Sequence, residues 1–271
     1  MEMQGIRLPA VAGMFYPGDP DTLAGEITTL LADAVAPTPT FSICPKAIIV
    51  PHAGYIYSGA VAASAYACLA PHAATVRRVV LLGPCHRVPI RGLAVPHVSA
   101  FATPLGTIPL DQAAISAALA LPQVVRHDAA HAQEHSLEVQ LPFLQQVLTS
   151  FSVVPFAVGY ATPDEVAEVL DLLWDGPETL IAISSDLSHY HPYPDAQRRD
   201  RHTADDIAHL RLLLDHEQAC GATPINGLIE IASRRGLQPR LLDLRNSGDT
   251  SGDKSRVVGY ASFAFFENGH A

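Results

Sequence analysis

The chain alternates between short runs of β-branched and aliphatic residues and longer segments rich in Ala and Leu. The short runs predict strands, which are KAIIV at 46–50, VRRVVLLG at 76–83, GLAV at 92–95, FSVVPFAVG at 151–159, TLIAISS at 179–185, PRLLDLRN at 239–246 and VVGYASFAFF at 257–266. The longer segments predict helices near residues 58–70, 111–120, 133–149, 163–174, 195–216 and 224–235. This alternation indicates an α/β fold, a three-layer sandwich whose central, mostly parallel or mixed sheet is covered by helices on both faces.

No repeat period, low-complexity tract or long polar linker divides the sequence, so we predict a single domain over residues 1–271. Residues 53–76 carry no formal charge, but they are interrupted by Pro71 and are only weakly apolar, which favours a buried helix over a membrane-spanning one. The beginning of the sequence lacks the basic and apolar regions of a signal peptide. These features, with four cysteines that form no C-x-x-C pair, predict a cytoplasmic protein without membrane insertion.

Charge and histidine content narrow the choice of partner. The chain has 27 acidic and 17 basic residues and a net charge of −10, which is unfavourable for contacts with a phosphate backbone. We therefore predict no nucleic-acid partner, and a small-molecule or peptide ligand instead. The 13 histidines indicate metal binding or acid–base chemistry, because histidine is the commonest metal ligand and titrates near neutral pH.

Polar side chains follow three of the predicted strands directly. His52 follows the first strand, His86 follows the second, and Asp186 and His189 follow the strand at 179–185. A single histidine at a strand end is usually a hydrogen-bonded loop residue, but the carboxyl ends of parallel strands meet at one edge of a sheet. Three such ends therefore predict a pocket, and His52 and His86 are its candidate metal ligands.

Cys220 is the leading candidate for a third ligand, because two imidazoles alone bind a transition metal weakly. It lies in the segment EQACGATPIN, where one helix is expected to end and another to begin. Cys85 lies beside His86 and is a competing candidate. A small buried hydrophobic residue is the alternative interpretation of Cys220.

The segment from His131 to His135 matches the H-x-x-E-H pattern of some zinc peptidases. On a continuous helix the two histidines would share one face, with Glu134 as a general base. The alternative is an ordinary helix start, because acidic residues are favourable in a first turn. Asp186 and His189 have a spacing that suits an acid–base pair, although Asp186 capping the following turn explains the same pattern.

Six motifs occur in order along the chain, namely AGMFYPGD at 12–19, PHAGYIYSG at 51–59, GPCHR at 83–87, EHSLEVQLPFLQ at 134–145, SSDLSHY at 184–190 and CGATPI at 220–225. Together they resemble the Memo family over nearly the whole chain. The resemblance implies a fold similar to class III extradiol dioxygenases, with a metal held by His52, His86 and Cys220. It also implies that His135, Asp186 and His189 belong to the pocket. A radical-SAM protein is the partner that the resemblance suggests.

These observations lead to three hypotheses of different kinds. The expected cofactor is a transition-metal ion, which is iron, copper or zinc. The first hypothesis is a redox enzyme that uses copper or iron, in which His189, oriented by Asp186, moves protons and His135 contacts the substrate. A thiolate ligand favours copper or zinc over iron-dependent ring cleavage. The second is a non-catalytic binding module for a peptide or small anion. The third is a metal-dependent hydrolase, supported by the H-x-x-E-H match. Tyr16, Tyr55 and Tyr57 are the expected substrate contacts.

Overall fold

The predicted hydrophobic runs form strands of a large mixed sheet. The computed structural model describes residues 5–35, 43–212 and 215–267. Its strands are β1 (Ile6–Arg7), β2 (Ala47–Val50), β3 (Arg78–Pro84), β4 (Leu93–Val95), β5 (Ala100–Thr103), β6 (Gly106–Pro109), β7 (Val124–Arg126), β8 (Ser152–Val158), β9 (Thr179–Ser184), β10 (His189–His191), β11 (Gln238–Asn246) and β12 (Val257–Phe266).

The helices fall between these strands, as the alternating pattern predicts. They are α1 (Pro20–Val35), α2 (Tyr55–Tyr66), α3 (Gln112–Ala118), α4 (Asp128–Ala132), α5 (Leu141–Val147), α6 (Pro163–Leu172), α7 (Tyr193–Ala208), α8 (Ala222–Arg235) and α9 (Ser247–Thr250). Two 3-10 helices, Ala67–His72 and Glu138–Gln140, precede β3 and α5.

The larger sheet has the strand order β10-β12-β2-β9-β3-β8-β4-β7, and β11 also pairs with β12. Strands β2, β9, β3 and β8 are parallel neighbours, whereas β12 is antiparallel to β2 and β4 is antiparallel to β8. Strands β1, β5 and β6 form a separate small sheet. Helices α1, α2 and α5 pack together, and α6 packs on α8, which contacts β3 and β9. The predicted three-layer α/β fold is confirmed.

Helix α2 and the 3-10 helix after it occupy the uncharged segment at 53–76. Most residues of α2 are buried, including Tyr55 and Tyr66. Across the ranges that the structure describes, no helix combines the length and the apolar character needed to cross a bilayer. The burial of α2 itself confirms the prediction of a buried helix.

The single helix predicted at 133–149 is wrong. Helix α4 ends at Ala132, and the chain reaches α5 through a loop and a 3-10 helix. One reason is that Glu134 turns its carboxylate back onto the backbone N–H groups of His135 and Ser136, at 2.9 Å each, which otherwise would enter a helix. Pro142 then favours a new helix start, because it has no N–H to satisfy.

Two further differences concern the end of one helix and the existence of another. The helix predicted at 195–216 ends at Ala208, and Leu210 after it has a positive φ of 54°; residues 213 and 214 lie outside the described ranges. Helix α1 was not predicted, although its buried Leu23 and Ile27 have helical spacing.

Candidate metal centre

The carboxyl ends of β2 and β3 bring His52 and His86 to one edge of the sheet, on either side of β9. Their rings lie 5.3 Å apart, between centroids, at an interplanar angle of 74°. Cys220 joins them from the turn before α8, with its Sγ 3.4 Å from Nε2 of His52. One nitrogen of each histidine and this sulfur all lie within 4.8 Å of one another. We call these three residues the metal corner.

Cys220 is held by the backbone of Asp186. The N–H of Asp186 donates to Sγ of Cys220 at 3.3 Å, and the N–H of Cys220 donates to the carbonyl oxygen of Asp186 at 3.2 Å. Gly221 permits this approach, since a Cβ there would lie 2.6 Å from Cβ of Ser185. Burial, with a contribution from the Asp186 charge, raises the pKa of the Cys220 thiol to about 12. Metal binding at this sulfur therefore has to release a proton.

The donor set fits a transition metal. Two imidazole nitrogens and one sulfur are ligands that iron, copper and zinc accept in proteins. His52 is only 2% exposed, and burial, followed by the nearby imidazoles of His135 and His86, lowers its pKa well below the ordinary value. A neutral imidazole is the form that binds a metal, so this environment is compatible with ligation.

Glu134 lies behind His86 as a hydrogen-bond acceptor. Its carboxylate accepts the backbone N–H of His86 at 2.6 Å and approaches Nδ1 of His86 at 2.9 Å. Burial alone would raise the pKa of Glu134, but the hydrogen bonds and electrostatic attraction of the His86 ring, with the N–H of Ser136, lower it to about 2. Glu134, His86 and His135 also have ligand atoms within 4.8 Å of one another.

The helical geometry proposed for the H-x-x-E-H segment is wrong. Helix α4 ends before Glu134, so His131 and His135 do not share a helix face. The ring of His131 is buried and its Nε2 contacts the carbonyl oxygen of Ala94 at 2.9 Å. His135 instead stacks on His86, with ring centroids 4.8 Å apart. Zinc-peptidase chemistry therefore has no support in the position of Glu134, whose oxygens are engaged by N–H groups.

A cavity of about 480 Å³ opens beside the metal corner. Its walls include the three residues predicted to act on a substrate, which are His135, Asp186 and His189. Burial raises the pKa of Asp186 to about 7, lowers that of His135 to about 4 and lowers that of His189. Within the described residues, no hydrogen bond joins the side chains of Asp186 and His189; Asp186 Oδ1 accepts the backbone N–H of His52 at 2.7 Å.

The three predicted tyrosines occupy different environments. Tyr57 lines the cavity and is 42% exposed. Tyr16 and Tyr55 are each 3% exposed, and their hydroxyls donate to Oε1 of Glu138 at 2.7 Å and to the carbonyl oxygen of Val139 at 2.8 Å. Both hydroxyls are therefore engaged in the interior, and of the three residues only Tyr57 belongs to the cavity wall.

Other residues of the cavity wall were missed by sequence reasoning. The segment after β11, which includes α9, contributes Ser247, Ser251, Asp253 and Arg256. Tyr190 stands at the opening with a positive φ of 62°, and the Arg256 guanidinium lies 5.2 Å from its ring centroid. A non-glycine residue with positive φ is uncommon and was not foreseeable from the sequence.

Comparisons with known proteins show the family of the chain. The family described as "Memo-like protein" matches residues 7–264. A MEMO1 family protein of Ignicoccus hospitalis is 38% identical over 281 residues, which cover 96% of this chain and 98% of the relative. MEMO1 family proteins of Sulfolobus acidocaldarius and Aquifex aeolicus are each 36% identical, and the matches cover 96% of this chain and 99% of each relative. The predicted resemblance is confirmed, and the chain belongs to the Memo family.

Proposed function

We propose that the chain binds one transition-metal ion in the metal corner and catalyses a redox reaction on a small organic molecule in the adjoining cavity. The observation that carries this proposal is the convergence of His52, His86 and Cys220, which come from three distant parts of the sequence. Iron, copper and zinc all suit these donors, and a redox reaction favours iron or copper. When bound, such an ion supplies Lewis acidity and, for iron or copper, electron transfer.

The residues around the corner support chemistry on a bound molecule. His135 and His189 are neutral at pH 7, because burial lowers their pKa values, so each offers a ring nitrogen as a proton acceptor. Asp186 lines the same cavity and is partly protonated near neutral pH. Tyr57 and Tyr190 supply aromatic surface at the opening. These groups hold and orient a substrate and move protons beside the metal corner.

A binding module without catalysis is the second candidate. The side chains of Arg256, Ser247 and Ser251 at the wall favour it, because a guanidinium and hydroxyls suit a small anion. Turnover separates the two candidates. Metal-loaded protein that consumes oxygen with a substrate, and Cys220→Ser that does not, would support the enzyme. Ligand binding without turnover in metal-loaded protein would support the binding module.

Metal content tests the site itself. Protein is purified without chelator and without a metal-binding tag, and its metals are measured by mass spectrometry. We expect about one ion per chain in the wild type and background levels in His52→Ala and His86→Ala, since either change leaves two protein ligands. His97→Ala is the control, because His97 is an exposed histidine on the loop after β4. Unchanged metal content in both corner variants would contradict the proposal.

A further inference from the structure

Each imidazole of the metal corner has its Nδ1 atom occupied by a second residue. Nδ1 of His52 lies 2.9 Å from Oγ of Ser184, and Nδ1 of His86 lies 2.9 Å from Oε1 of Glu134. A neutral imidazole carries one proton, on either Nδ1 or Nε2. Which nitrogen carries it decides whether the other can bind a metal.

The partners of Ser184 fix the proton on His52. The Ser184 hydroxyl donates its one hydrogen to the carbonyl oxygen of Ser136 at 2.6 Å. It also receives a hydrogen bond at 2.8 Å from Nε2 of Gln140, which donates to the carbonyl oxygen of Pro51 as well. A carbonyl oxygen only accepts, so both assignments are determined. Ser184 has no hydrogen left to give, and Nδ1 of His52 must donate to it.

The partners of Glu134 fix the proton on His86 in a different way. Its two oxygens accept the backbone N–H groups of His86, His135 and Ser136 at 2.6, 2.9 and 2.9 Å. These donors crowd both oxygens and favour the ionised carboxylate, which has no hydrogen to donate. Nδ1 of His86 must therefore donate to Oε1.

We propose that Ser184 and Glu134 are positioning residues that keep the neutral rings of His52 and His86 in the Nδ1–H tautomer, so that Nε2 of each ring is the atom available to a metal in the metal corner. The position of Nε2 of His52, 3.4 Å from Sγ of Cys220, agrees with this assignment. The proposal rests on metal binding as the proposed function. It goes further by stating that the hydrogen bonds of the fold determine which nitrogen of each ring is available before a metal binds.

The two positioning residues are chemically unequal. Glu134 is a carboxylate, whereas Ser184 is a neutral hydroxyl, so the hydrogen bond that orients His86 is charge-assisted and the stronger of the two. His86 is also the more accessible ring, with 30% of its side chain exposed. Loss of Glu134 should therefore weaken metal binding more than loss of Ser184.

Nitrogen NMR tests the tautomers directly. Full-length protein labelled with ¹⁵N-histidine is treated with chelator and observed at neutral pH, and the signals are assigned with His52→Ala and His86→Ala. We expect both rings to show a protonated Nδ1 and an unprotonated Nε2. Ser184→Ala should change the pattern of His52, and Glu134→Gln that of His86. Asp128→Asn is the control and should change only His97, which contacts that carboxylate. An Nε2–H tautomer at both rings in the wild type would overturn the proposal.

Zinc affinity, measured by chelator competition with zinc alone, tests the consequence. We expect a loss of about 10- to 100-fold in Glu134→Gln and a smaller loss in Ser184→Ala, the usual scale for residues that orient metal ligands. Asp128→Asn should bind like the wild type. Equal affinity in all three variants would overturn the positioning role and leave the metal site intact. Absence of zinc binding in the wild type would instead contradict the proposed metal site, while the tautomers would still be measured independently.

Discussion

Two histidine–carboxylate pairs in this chain have nearly the same local geometry. In one, the backbone N–H and Nδ1 of His86 contact Glu134 at 2.6 and 2.9 Å. In the other, the backbone N–H and Nδ1 of His97 contact Asp128 at 2.7 and 2.9 Å. The side chain of Glu134 is 1% exposed, however, whereas that of Asp128 is 59% exposed. The same hydrogen-bond pattern therefore occurs in an interior and on a surface.

The difference between the two pairs lies in what surrounds them. The Glu134 carboxylate accepts further N–H donors from its own loop, and His86 faces His52 and Cys220 across the metal corner. Among the residues that the structure describes, His97 belongs to no group of three potential ligands. A histidine oriented by a carboxylate is thus insufficient for a metal site, and the convergence of further donors is the decisive feature.

The largest expected effect is on stability, and it concerns Arg7, which holds the loop that carries the buried Glu134. Arg7 donates to the carbonyl oxygens of His131 and Glu134 and to Oε2 of Glu138, each at 2.7 Å. Arg7→Ala leaves Glu138 buried without its charged partner, and we expect a loss of about 3–5 kcal/mol in unfolding free energy. Urea denaturation measures it.

Arg126→Ala is the matched control for Arg7→Ala. The Arg126 guanidinium donates to the carbonyl oxygen of Pro96, beside the surface pair, at 2.8 Å. Since this bond is only partly buried and joins no buried charge, we expect a loss of about 1 kcal/mol or less. Equal losses in the two variants would remove the distinction between the buried and exposed pairs.

The second-largest effect is expected in the pH dependence of stability at the buried pair. The fall in the pKa of Glu134 from 4.5 to about 2 corresponds to about 3 kcal/mol of stability at pH 7. Because folding lowers this pKa, the stabilisation is present above the unfolded value and is lost as the pH falls toward 2. Glu134→Gln should therefore be less stable at pH 7 and should approach the wild type below about pH 4. Denaturant titrations from pH 7 to pH 3 measure the difference, and a constant difference would contradict the assignment.

Steric crowding at the metal corner should cause a smaller loss of unfolding free energy. A Cβ on Gly221 would lie 2.6 Å from Cβ of Ser185 and 2.8 Å from the carbonyl oxygen of Ser184. We expect Gly221→Ala to cost about 1–3 kcal/mol and to lower metal content, because it displaces Cys220. Gly25→Ala is the control in α1, where nothing lies within 4 Å of the added Cβ. It should stabilise the protein by about 0.5–1 kcal/mol. A Gly221→Ala protein with full stability and full metal content would contradict the prediction.

The smallest effect is expected at the surface pair. Asp128→Asn changes an exposed hydrogen-bonded pair, so its unfolding free energy should stay within about 0.5 kcal/mol of the wild type. Thermal and urea denaturation at low and moderate salt measure it. A loss as large as that of Glu134→Gln would show that burial does not separate the two pairs.

Much of the fold was predictable because local sequence patterns determine it. Continuous aliphatic runs identified β2, β3, β8 and β9, since strands covered on both faces have no polar side. Their shared direction then placed His52 and His86 at one edge. Strands β5 and β6 were missed, because they are short and lie in a separate small sheet with mixed burial. The break before α5 was missed because the side chain of Glu134, rather than a helix-breaking residue alone, produces it.

The roles of individual site residues were harder to predict because they depend on distant partners. Glu134 looked like a catalytic base, but its partner His86 lies 48 positions away in the sequence. Tyr16 is similarly engaged by Glu138, 122 positions away. The motif around each residue indicates its neighbourhood, whereas the partner of each polar atom is decided by tertiary packing. His52 and Cys220 come together as the motifs imply, 168 positions apart.

The position of β12 has a consequence for how the chain folds. This strand pairs with β2 on one side and with β11 on the other, so it lies inside the large sheet. During synthesis, the β2 edge next to His52 therefore remains unpaired until residues 257–266 leave the ribosome. Contacts over such long sequence separations form slowly, and an unpaired hydrophobic strand is prone to aggregation. We therefore expect the nascent chain to pass through a stage in which its central strands need protection, with the sheet beside the metal corner completed only afterwards.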